Sequence, residues 1–138
     1  MTEPQRFSYS TAETGGKRGL PFVRLTLLHR DRRTQVSALV DSGASVNVLP
    51  YDVGVQLGLA WDEQDFPLDV VGVLRGSPAY GVLLSGEVGA FPLVRLAFAW
   101  TRKTSAETPV ILGQVNFFQE FKVSFDGKAQ TFEIALNR

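Results

Sequence analysis

The sequence predicts an all-β protein, a barrel or a sandwich, carrying no more than one or two short helices. Its apolar runs are short, and glycine or proline punctuates the gaps between them. Neighbouring runs are joined by polar turns at hairpin spacing. Little of the chain reads as helix.

Residues 1–19 are polar and include Gly15-Gly16, the pattern of a tail or a loosely attached arm, so the folded domain is expected over residues 20–138. From Leu20 the character changes. Phe22, Val23, Leu25, Leu27 and Leu28 form a strand-like run that meets the charged turn His29-Arg30-Asp31-Arg32-Arg33. A second run, Gln35 to Val40, stops at Asp41-Ser42-Gly43, and the two runs read as a β-hairpin. Pro50 is placed to open a short helix and Gly58 to close it, although Gly54 inside weakens the helical pattern. Leu68 to Leu74 and Ala79 to Leu84 flank Arg75-Gly76-Ser77-Pro78 and read as a further hairpin. Val88 to Trp100 supplies more strand, with Gly86 and Gly89 marking a bend. After a polar connector from Thr101 to Thr108, Val110-Ile111-Leu112-Gly113 is a short apolar strand of the kind buried on both faces. Gln114 to Phe121 can form one or two helical turns. Val123 to Phe125 and Ala129 to Leu136 close the chain through Asp126-Gly127, a two-residue hairpin signal.

Composition removes several classes of function. The chain has 138 residues, enough for one domain with its own core. It has no cysteine, so disulfides and thiolate metal sites are absent, and the single histidine, His29, cannot build a zinc site. No metal or organic cofactor is expected. Lysine plus arginine equal aspartate plus glutamate, 14 against 14, so no bulk charge draws the chain to nucleic acid or an anionic membrane. The start, Met1 to Arg6, lacks a signal-peptide pattern, and no apolar run approaches the roughly 18 residues of a membrane helix. A soluble cytoplasmic protein without nucleic-acid or membrane partners is therefore expected.

Chemistry concentrates in Ala38-Leu39-Val40-Asp41-Ser42-Gly43-Ala44-Ser45. An apolar strand delivers a carboxylate to a tight turn of small residues. Gly43 lets another segment approach closely, and Ser42 adds a hydroxyl that donates and accepts without bulk. Asp-Ser-Gly is also an ordinary turn, because each of its residues favours turns for local reasons.

The segment Leu39-Val40-Asp41-Ser42-Gly43-Ala44-Ser45 resembles the active-site loop of retropepsin-like aspartic proteases, and Val48-Leu49-Pro50 is similar to the stretch immediately after that loop in the family. Val110-Ile111-Leu112-Gly113 resembles the family's second marker, a strand that passes beneath the loop and supports it. Val71-Gly72-Val73 through Tyr80-Gly81 falls where the family keeps its flap hairpin. The resemblance covers Leu20 to Leu136 and implies a closed acid-protease-like β-barrel with a flap hairpin. It implies Asp41 as the catalytic residue, with Ser42, Gly43 and Ala44 supporting the loop and Ile111, Leu112 and Gly113 beneath it. Gly72, Val73, Leu74 and Gly76 would form the flap over a peptide or protein substrate.

The sequence holds one Asp-Ser-Gly only, so a family member of this kind obtains its second aspartate from another copy of itself, as a homodimer. Two nearby carboxylates share one proton and serve as base and acid toward a water that attacks a peptide bond. Retroviral members often carry an aspartate where this chain has Ser45 and an arginine where it has Gln114; both being neutral here leaves no stranded charge and implies a different interface. The flap match lacks the glycine run of retroviral flaps. Two other readings stay open from sequence: an inactive peptide- or protein-binding domain of the same fold, and a structural homodimer whose turn only stabilises a barrel. The intact Asp41, Ser42 and Gly43 favour the enzyme. His29 with Arg30, Arg32 and Arg33 reads as a solvated turn, and Trp61, Trp100 and the phenylalanines as core.

Overall fold

A computed structural model describes residues 3–10, 19–69 and 77–137. Ten strands, two short α-helices and one 3-10 turn make up the described chain. The first hairpin joins β2 (Phe22–His29) and β3 (Arg32–Val40) through Arg30-Asp31, with His29 opposite Arg32. Arg30 takes the left-handed conformation at φ 58 that so short a reversal needs. β4 (Asn47–Leu49) leads through Pro50 into α1 (Tyr51–Gln56), so the proline caps the helix from one residue outside it. The 3-10 turn Trp61–Glu63 and β5 (Pro67–Leu68) come next. β6 (Ala79–Val88), β7 (Val94–Thr101), β8 (Val110–Leu112), α2 (Phe117–Glu120), β9 (Phe121–Asp126) and β10 (Thr131–Leu136) complete the order.

The main sheet runs β2-β3-β8-β4-β7-β6-β5, and an extra pairing of β2 with β6 closes it into a barrel. The long strand β6 makes this possible. One edge follows β7, while the other holds β5 at Ala79 and Tyr80 and then β2 at Ser85 to Val88. The all-β, closed-barrel expectation holds, and so does the expectation of one or two short helices.

Period-two alternation fills the barrel. Leu25 and Leu27 from β2, Ala38 and Val40 from β3, Leu84 from β6, and Leu96, Phe98 and Trp100 from β7 are buried in its core. Trp100 is wholly buried, stacks on Tyr51 with ring centres 5.7 Å apart, and donates its indole N–H to the Tyr51 carbonyl at 3.2 Å. The glycine inside α1 has its reason here. A Cβ on Gly54 would run into the indole of Trp100, with Cζ2 only 2.8 Å away. Trp61 packs edge-on to Trp100 at 5.1 Å and is half-buried, with the Arg102 guanidinium 5.2 Å above its ring.

Two local expectations are corrected. The N-terminal arm is not loose over its described part: β1 (Gln5–Ser8) pairs antiparallel with β10, and Phe7 stacks on Phe132 at 5.4 Å. Apolar Phe7 and Tyr9 alternate with polar neighbours, which suits an edge strand with one face covered. The final hairpin turns through Gly127 to Gln130 and not through Asp126-Gly127 alone, since Asp126 is still opposite Thr131. The Asp126 carboxylate accepts from the Ala129 N–H at 3.0 Å, and Gln130 takes the left-handed conformation at φ 60, which together stabilise the wider turn.

His29 is less solvated than its charged neighbours suggest. It is half-buried, and its Nδ1 lies 3.0 Å from the Leu57 carbonyl at the end of α1, the geometry of an Nδ1–H donor. Among the described residues no helix is long and apolar enough to cross a membrane.

Candidate active site

Asp41 stands at the exit of β3, on the last peptide before the chain leaves the barrel wall. Its backbone N–H donates to the Leu112 carbonyl in β8 at 3.0 Å. One oxygen of its carboxylate accepts from the Gly43 N–H at 2.9 Å, and Ala44 N–H reaches back to the Asp41 carbonyl at 3.1 Å. The side chain is thus oriented by its own turn and remains half-exposed. Ser42 and Gly43 are exposed beside it.

β8 runs between β3, to which it is parallel, and β4, which Ile111 meets opposite Val48. The turn from Asp41 to Val46 must therefore cross over the end of β8. Three backbone bonds fasten it there: Gln114 N–H to Ala44 O, Val115 N–H to Ser45 O, and Asn47 N–H to Val115 O, each 2.9 Å. The crossing is so close that only glycine fits at position 113. A Cβ there would collide with the Val46 carbonyl oxygen and lie 2.8 Å from that of Ala44. Gln114 adds a side-chain bond, donating from Nε2 to the Ser42 carbonyl at 2.8 Å. Asp41, Ser42, Gly43 and Ala44 are thereby brought together with Ile111, Leu112 and Gly113. Gly72, Val73, Leu74 and Gly76, expected in the flap, lie outside the described residues.

Asn47 and Asn116 carry no such mark in the sequence. Asn47 is wholly buried. Its Oδ1 accepts from the Gly113 N–H at 2.8 Å, while its Nδ2 donates to the Ala97 carbonyl at 2.9 Å and to Asn116 Oδ1 at 3.1 Å. Asn116 Oδ1 also accepts from Ala97 N–H at 3.0 Å, and its Nδ2 donates to the Arg95 carbonyl at 2.9 Å. The one available signal is an asparagine interrupting the apolar run Val46 to Leu49, at a position where burial demands a full set of partners.

A small apolar cluster separate from the barrel core lies beside the turn: Val48, Ala79, Ala99 and Ile111, with Ala44, Val46 and Leu68 packed on it. Through Val46, Leu68 and Ala99 it adjoins a groove of about 700 Å³ whose lining includes Phe66, Leu83 and Val115. Asp41 is not part of that lining. Phe66 and Leu83 are 66% and 57% exposed, high for large apolar side chains. Among the described residues no group of three or more histidines, aspartates or glutamates could hold a metal ion.

The barrel thus carries its Asp-Ser-Gly turn directly over the end of the Ile-Leu-Gly strand. Among solved structures, the chain is similar to the crystal structure of a retropepsin-like aspartic protease from Rickettsia conorii, with a TM-score of 0.68 and 14% sequence identity, over 99% of this chain and 94% of that one. The chain has a retropepsin-like fold. Neither a family model nor a curated protein matches the sequence.

Proposed function

We propose that this protein is an aspartic endopeptidase that acts as a homodimer, each subunit contributing Asp41. The observation that carries the reading is the placement of Asp41, a half-exposed carboxylate aimed by the Gly43 N–H and seated on β8 through the Leu112 carbonyl. A turn with only a structural role has no need to hold an acid group open to solvent on so rigid a base.

One carboxylate cannot act as base and acid at once toward the same carbonyl. A second copy, related by a two-fold axis through the turns, supplies the other. The two acids share a proton, since both cannot easily carry charge at close range. The ionised member takes a proton from a water whose oxygen bonds to the scissile carbonyl carbon, while the protonated member donates to the carbonyl oxygen. The tetrahedral adduct, a gem-diol, then collapses: one of its hydroxyls returns a proton to the ionised member, the protonated member gives its proton to the nitrogen, and the C–N bond breaks, which releases the acid and the amine and leaves the dyad with its one shared proton. Ser42 stiffens the paired turns, and Ala44 walls the cleft. Gly72, Val73, Leu74 and Gly76 are assigned to substrate binding, the role that the resemblance implies for them. The apolar cluster beside the turn favours apolar side chains next to the scissile bond.

The test is Asp41→Asn in the full chain, with peptide cleavage and molar mass by sedimentation measured together. Loss of cleavage by at least about 10³-fold is expected, with the dimer retained. Unchanged proteolysis, or a wild-type chain that stays monomeric at high concentration, would overturn the reading.

A further inference from the structure

We infer that Asn47 is a positioning residue for the active-site turn, acting through Gly113; as a statement about catalysis this rests on the function proposed above. Asp41 is tied to the barrel wall at the Leu112 carbonyl, and the crossing turn rests on Gly113 to Val115. The place of the carboxylate is therefore set by where the peptide between Leu112 and Gly113 is held. β3 pairs with β8 only as far as Leu112, so the buried Gly113 N–H has no strand partner in that ladder. Asn47 Oδ1 takes it, at 2.8 Å. The same side chain is anchored at its other end to β7, through the Ala97 carbonyl and Asn116. A continuous line of hydrogen bonds thus runs from the wall of the barrel through Asn47 and the Leu112–Gly113 peptide to the backbone of Asp41.

The chemistry of the position asks for a primary amide. One end must accept from an N–H and the other must donate to two oxygens. Aspartate has no donor, leucine has neither, and a hydroxyl cannot reach both walls. The amide can face only one way, because reversing it would set donor against donor at Gly113 and acceptor against acceptor at Ala97. Asn47 touches no reacting atom in this arrangement. Its effect is on where Asp41 stands.

The experiment compares the full-length wild type with Asn47→Leu, which keeps the branch at Cγ and removes every polar bond of the side chain. Val88→Ala, a core truncation where β6 pairs with β2, serves as a stability control. Two readouts are taken where each variant is fully folded: amide hydrogen exchange, and kcat with KM on a peptide the wild type cleaves. In Asn47→Leu the amides of Asp41 and Gly113 are expected to exchange at least about 100-fold faster than in wild type, with the Leu96 amide unchanged. The kcat is expected to fall by about 10- to 100-fold, with KM changed by less than about threefold. Val88→Ala shows neither effect. Should Asn47→Leu fail to fold, Asn116→Ala removes one anchor of the Asn47 amide and is expected to give the same pattern at about a tenth of the size. Unaltered exchange at Gly113, or a kcat matching that of the control, overturns the inference. If the wild type cleaves nothing, the proteolytic reading fails, and the exchange measurement alone decides whether Asn47 holds the turn.

Discussion

Gly113→Ala adds one methyl group where the active-site turn crosses β8, and the structure sets the size of the response. The new Cβ would meet the Val46 carbonyl oxygen and lie 2.8 Å from the Ala44 carbonyl oxygen and the Val46 carbonyl carbon, against 3.4 Å for ordinary contact. All three atoms are backbone, so no side chain can rotate away, and the turn must retreat by at least about 0.6 Å. Overpacking of this kind costs about 1–3 kcal/mol. Retreat also stretches the bonds from Gln114 N–H to Ala44 O and from Val115 N–H to Ser45 O. Each contributes about 0.5–1.5 kcal/mol net, so losing both brings the expected destabilisation to about 2–6 kcal/mol. The assay is equilibrium unfolding in urea, with Gly43→Ala alongside, where the nearest atom to a new Cβ is an oxygen of Asp41 at a tolerable 3.3 Å. Gly113→Ala should lower the midpoint strongly and Gly43→Ala only slightly. A Gly113→Ala variant within about 0.5 kcal/mol of wild type would refute the claim that the crossing is rigid.

Two further outcomes are expected. Burial pushes the Asp52 carboxyl up, but hydrogen bonds from the Ser105 hydroxyl, the Ser105 N–H and its own backbone N–H outweigh this and hold it below its ordinary 3.8. A carboxylate lowered on folding stabilises the protein above the unfolded value and loses that contribution as pH falls through the folded one. Asp52→Asn should therefore cost up to about 1 kcal/mol at neutral pH, solvent screening being allowed for, with the gap to wild type closing below pH 3.8; a gap independent of pH in thermal unfolding would contradict it. Gly54→Ala gains about 1 kcal/mol of helix propensity but drives a methyl into the Trp100 indole, costing about 1–3 kcal/mol or more, so the melting temperature should fall; a rise would show that the indole can move aside.

Features with a local chemical cause could be read from sequence. Asp41-Ser42-Gly43 stands at the end of an apolar run, and Val110 to Gly113 is too short and too apolar to be anything but buried strand, so the two halves of the site were visible separately. Their junction was not. Asn47 and Asn116 are 69 positions apart in the chain, and each alone reads as a polar interruption; only the crossing of β8 beneath the turn makes them partners. β1 was hidden for a similar reason. Its apolar content is Phe7 alone, and the strand forms because Phe132, from the far end of the sequence, covers it. The groove beside the turn is likewise assembled from β5, β6, β7 and the segment 58–66 that leads into β5, and its exposed Phe66 and Leu83 carry no mark in the linear pattern.

The pairing of β1 with β10 bears on how the chain reaches this state. Gln5 meets Ile134, and Ser8 meets Thr131, so β1 is synthesised well before β10 and waits for it to gain a partner. The barrel closure between β2 and β6 and the parallel pairing of β3 with β8 join segments far apart in sequence as well. Loop-closure entropy must be met before any of these contacts stabilises the chain, which places folding in the range of about milliseconds to seconds. Until β10 emerges, β1 lacks the strand it pairs with, and a chain released early or cut short of β10 leaves that edge open to pairing with other molecules.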